Sequence, residues 1–78
     1  MVTLRTNADR ARHALATLRQ AGLIRGDPLP AHPNTSDQRD AVADLLTDLM
    51  HLCDQAGVSY AVANSQAFHN FQDQTTNG

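Results

Sequence analysis

The sequence predicts an all-α domain of three helices, and three observations carry that expectation. From Ser36 to Ala56, Val42, Leu45, Leu46, Leu49, Met50, Leu52 and Cys53 fall on one side of a helix, over an arc of roughly 160°. Two narrower helical patterns flank this stretch: Ala8, Ala11, Leu15 and Leu18 before it, and Tyr60, Ala63, Ala67 and Phe71 after it. Aromatic residues are limited to Tyr60, Phe68 and Phe71, tryptophan is absent, and no stretch alternates as a strand would. An aliphatic core between helices is what such a composition can build.

The first helix is placed at residues 7–22, with Thr6 or Asn7 as its cap and Gly22 as its stop. Leu23 and Ile24 then read as apolar residues folding back onto the helix end. Arg5, Arg12 and Arg19 recur every seven residues beside the apolar stripe, where their stems can cover its rim while the charges stay wet. These three form the candidate basic face, suited to the acidic side of another helix.

Residues 23–35 form a connector. Pro28, Pro30 and Pro33 forbid regular helix there and make the segment a stiff crossing of the surface.

The second helix, residues 36–56, is the one the others must pack on. Thr35 with Gln38 fits a capping box, Asp37 suits the positive helix end, and Gly57 is the left-handed stop. Its apolar stripe is wider than the ~100° that rests on a single neighbour, which calls for two partners, within the chain or across a homo-oligomer interface. The opposite side carries Asp37, Asp40, Asp44, Asp48 and His51. After Gly57, Val58 reads as a buried plug, Ser59 as a cap, and residues 59–72 as a third helix; residues 73–78 are polar and expected to fray. The whole is one domain, 1–78, and no internal repeat is present.

All six basic residues are Arg and all eight acidic ones are Asp, so Lys and Glu are absent. Five arginines against Asp9 leave +4 for residues 1–26, and Arg39 against seven aspartates leaves −6 for residues 27–78. The opposed halves can attract each other in the fold or present separate faces to partners. The single cysteine, Cys53, excludes an intrachain disulfide and points to a reducing compartment. No apolar run of membrane-spanning length and no signal-type amino terminus is present, so a cytoplasmic protein without membrane contact is expected.

Asp44, Asp48 and His51, with Asp40 a turn earlier, have the spacing of helix-borne ligands to a divalent ion. One helix supplies only one side of such a site, and the ordinary reading is a solvated ridge; no metal, cofactor or catalytic residue is assigned. Cys53 lies on the apolar side as a packed hydrophobe, and no spacing joins His13, His32, His69 and Cys53 into a zinc pattern.

Two resemblances add to this. Val42-Ala-Asp44-Leu-Leu, followed by Leu-Cys53-Asp-Gln-Ala-Gly57-Val, resembles the acidic helix and glycine turn of the all-α nucleotide pyrophosphohydrolases of the MazG type, over about twenty residues. That resemblance implies a helical hairpin and a Mg²⁺-dependent hydrolase relative, with Asp44 matching the last acid of the family's Glu-x-x-Asp helix. Ala41 stands where the family has Glu, and the first helix lacks the Glu-x-x-Glu pair. The same run, with Ala67-Phe-His69-Asn-Phe71, resembles small uncharacterised helical proteins of phages and mobile elements. It implies a modulator or inhibitor of a host or defence protein.

The expectation is therefore a non-enzymatic protein-interaction module acting through the acidic face Asp37, Asp40, Asp44, Asp48 and His51. Its partner would be a protein, a basic nucleic-acid-binding one suiting the carboxylates, and the module itself a homodimer. A degenerate MazG-like hydrolase and a small DNA-binding regulator using the Arg-rich first helix are the alternatives. Direct nucleic-acid binding sits badly with a net charge of −2 and no strands for a wing.

Overall fold

Each of the three helices begins where a side chain takes up the first free backbone N–H groups. In the computed structural model, which describes residues 6–77, the helices are α1 (Asn7–Arg25), α2 (Thr35–Ala56) and α3 (Tyr60–Asn77), with no strand among the described residues. Arg5, part of the expected basic row, lies outside the described residues. Thr6 caps α1: its hydroxyl accepts from the Asp9 N–H at 3.1 Å, and the Asp9 carboxylate accepts from the Thr6 N–H at 3.2 Å. Asn34 and Asp37 do the same for α2, at 2.8 and 3.1 Å. The cap of α2 is therefore Asn34 and not Thr35. Asp37 can return the bond to Asn34, whereas the Gln38 amide donates to the Pro33 carbonyl at 3.2 Å. At α3 the Ser59 hydroxyl accepts from the Val62 N–H at 3.3 Å, as a cap should.

The stops are more instructive. α2 ends as expected at Gly57, with φ at +71° and the Val58 N–H returning to the Cys53 carbonyl at 2.9 Å. α1 does not end at Gly22. It runs to Arg25, and Gly26 takes the left-handed turn at φ +79°. The Asp27 N–H reaches the Gly22 carbonyl at 2.9 Å and the Gly26 N–H reaches Leu23 at 3.2 Å, the paired bonds of a Schellman turn. Leu23 and Ile24 are accordingly helical and exposed instead of folded back, and Val58 is likewise exposed instead of a plug.

Gly22 has a different task. A Cβ on it would stand 2.8 Å from the Asp27 carbonyl oxygen and 3.3 Å from the Leu29 nitrogen. The connector, now residues 26–34, turns back directly over this glycine, and only a missing side chain lets backbone approach so closely. Arg19 secures the far end, donating to the Pro30 and Ala31 carbonyls at 3.4 Å each. The proline-rich segment crosses the surface as a pinned strap.

Leu18, Gly22 and Ala41 are buried together where α1, the strap and α2 meet, and they are the buried residues among those described. α2 packs against both α1 and α3, so it is the central helix. α3 extends to Asn77, five residues beyond the expected end. No Gly or Pro interrupts it before Gly78, and the Asn7 amide donates to the Gln74 carbonyl at 3.3 Å, tying its last turns to the start of α1. The expected frayed tail is helix up to that point.

Candidate functional site

α2 presents two flanks, and the fold uses them unequally. α1 settles on the acidic edge of the helix, beside Ala41, instead of along the middle of the apolar stripe. Arg25, at the end of α1, reaches across to Asp44 at 3.7 Å and Asp48 at 3.4 Å. Its side chain is about three-quarters covered while both carboxylates are half exposed. The two charge-opposed halves of the chain do meet, through Arg25 and not through the basic row expected to serve.

The basic row is spent locally. Arg12 pairs with Asp9 one turn earlier on the same helix, Arg19 holds the strap, and Arg5 lies outside the described residues. Arg10, not part of that row, donates to the Asn7 side chain at 2.8 Å.

The acidic face divides in the same way. Asp37 is the reciprocal cap of α2 and half-buried, Asp44 and Asp48 face Arg25, and Asp40 pairs with Arg39 at 3.5 Å. His51 is exposed. Asp37, Asp40 and Asp44 line an open cleft of about 270 Å³, closed on its other sides by Arg25, Asp27 and Pro28. Among the described residues no three His, Cys or Asp side chains converge as a metal would require. A centre of the MazG type does not fit the residues present: a guanidinium stands beside Asp44 and Asp48, and Ala41, at the family's Glu position, is buried under α1. A carboxylate there would lose its hydration to the packed corner.

The apolar flank is also partly open to solvent. Leu45, towards its inner margin, and Cys53, near its middle, are half-buried, and Cys53 is a free thiol. Val42, Leu46, Leu49, Met50 and Leu52 are exposed, from 40% at Leu49 to 61% at Leu52. On α3, Val62, Phe68 and Phe71 are each more than half exposed. The wide stripe thus has two neighbouring helices and is still only partly covered, from its middle at Leu49 and Val42 to its margins at Leu52 and Met50. Its extent was legible in the spacing of α2; its exposure was not, because position on a helical projection does not tell which flank a neighbour will choose.

No helix among the described residues is long and apolar enough to cross a membrane. Comparison with protein-family models, curated proteins and solved structures returned no match.

Proposed function

We propose that this chain is a non-catalytic protein-interaction module whose working surface is the apolar flank of α2. The observation that carries the reading is the row Val42, Leu46, Leu49 and Met50, at helical spacing and open to solvent along the longest helix. Scattered apolar residues on a surface need no explanation; a contiguous row of them on the central helix of a small domain marks a surface that is covered in use. The acidic flank supports the reading in a secondary way, by holding charge away from that row and helping to keep the free chain in solution.

A modulator that acts by occupying another protein fits these features better than an enzyme does. The cleft between α1 and α2 brings carboxylates together, but they are engaged by Arg25 and by the cap of α2. The free thiol of Cys53 suits a reducing, cytoplasmic setting.

Site-specific photo-crosslinking in cells tests this. A benzophenone side chain at Met50 is expected to yield covalent protein adducts, and the same group at Asp44, on the opposite flank, few or none. Adducts from position 44 with none from position 50 would overturn the reading.

A further inference from the structure

We infer that the surface covering the apolar flank of α2 is a second copy of this chain, joined across a two-fold axis through Val42, Leu46, Leu49 and Met50. This rests on the flank being an interaction face, and commits it to one occupant.

The first argument is area. A folded monomer of 8.5 kDa would expose about 4,700 Å² and have a radius of gyration of about 11.5 Å. This chain exposes 6337 Å² and has a radius of 14.3 Å. The excess is on the order of 1,500 Å² per chain, so a pair that removed it would bury on the order of 3,000 Å², within the ~2,000–5,000 Å² of obligate homodimers. The row on α2, where Val42, Leu46, Leu49 and Met50 are 40–52% exposed, is part of that apolar surface.

The second argument is supply. Leu18, at 9% exposure, and Ala41, at 8%, are the buried apolar side chains among the described residues, too few to hold three helices in place unaided. Whatever covers α2 must then be present whenever the chain is folded. A second copy meets that condition automatically, since it is always at the chain's own concentration, and closed two-fold pairs are the commonest soluble oligomers.

The third argument is charge. In a two-fold contact a patch meets itself, so any charge in it faces its like. On α2, Asp37, Asp40, Asp44 and Asp48 project opposite the apolar row, and Asp54 stands one turn beyond Met50 at its end. Arg39, one turn before the row, pairs with Asp40 at 3.5 Å in an exposed contact. The row itself, Val42, Leu46, Leu49 and Met50, carries no carboxylate to face its own copy. A basic protein would find its charge complement on the far side of the helix from the apolar row, and an anionic lipid surface favours Lys and Arg on a helix's polar face, where this one carries carboxylates.

Sedimentation equilibrium of the full chain, from micromolar to near-millimolar concentration, tests the inference. The expected mass is twice 8.5 kDa, with Leu49→Asp and, separately, Met50→Lys weakening association on the order of 100-fold while His51→Gln, on the other flank, leaves it intact. Circular dichroism on each variant separates lost association from lost helix, and the unmodified chain is itself decisive. A helical chain that stays at 8.5 kDa throughout overturns the inference. The photo-crosslink at position 50 then tells which level failed. Adducts with other proteins reject the second copy and leave the interaction module standing, whereas no adduct at all rejects both.

Discussion

The two edges of α2 show what each half of this small chain contributes. On one edge, Ala41 is buried against Leu18 and Gly22, the strap passes at van der Waals distance, and Arg25 bridges to Asp44 and Asp48. On the other, Val42, Leu46, Leu49 and Met50 make the more apolar surface and yet stay open. The more polar edge is the one packed within the chain. Small residues explain this: Gly22 and Ala41 let α1, strap and α2 backbones approach closely, and the ion pairs accumulate at the rim of that contact. The bulky aliphatic row is left for a surface that can accept it, which is why self-association follows from the same geometry that makes the free chain so open.

That contrast can be broken from either edge. The largest effect belongs to the open one, where Leu49→Asp places a carboxylate in the apolar row and is expected to weaken assembly on the order of 100-fold, read as a sedimentation mass that falls towards half at micromolar concentration. Next is Gly22→Ala. The helix gains about 1 kcal/mol of intrinsic propensity, but the new methyl meets the Asp27 carbonyl at 2.8 Å, and backbone on the strap must move. A net loss of about 2 kcal/mol is expected from urea unfolding, with released strap contacts. A chain stabilised by this change would show that the corner is looser than described.

Smaller effects sharpen the picture. Asn34→Ala removes the cap of α2 and is expected to cost about 1 kcal/mol, whereas Thr35→Ala, one residue on, should cost much less. The two together decide which residue starts the helix. Smallest is Arg25→Gln. Because the carboxylates it faces are half exposed, the loss should be under ~1 kcal/mol and should vanish in molar salt. A salt-independent loss would mean that the arginine stem, and not its charge, holds the corner.

Much of the fold was legible in the residues. Three helices, a cap at Thr6 or Asn7 that the fold resolves to Thr6, the stop at Gly57 and the stiff proline segment all follow from local chemistry that does not depend on distant parts of the chain. Where the expectation failed, a tertiary contact decided. Gly22 and Gly26 are both competent helix stops by sequence, and the choice between them is made by the strap closing over the first. Asn34 outcompetes Thr35 because Asp37 stands three residues after it, a pairing that a preference for Thr with Gln concealed. The polar end of α3 is helical because Asn7, far off in sequence, reaches its backbone at Gln74. Arg25 was overlooked in favour of the regular spacing of Arg5, Arg12 and Arg19, although a basic residue in the last turn of α1 is favourably placed at the negative helix end. For the site, the composition of both flanks of α2 was readable, and the apolar one was expected to take two partners, within the chain or across an oligomer interface. Periodicity gives the width of a stripe and says nothing of how much neighbouring bulk there is to fill it.

The most direct test of the central claim is the thermal midpoint of the unmodified chain, followed by circular dichroism as its concentration is raised about a hundredfold. If the open flank of α2 is covered by a second copy, folding and association are one equilibrium and the midpoint rises steadily with concentration. A midpoint that stays fixed over that range, with a single cooperative transition, would mean that the chain holds its helices together alone, and would contradict the account.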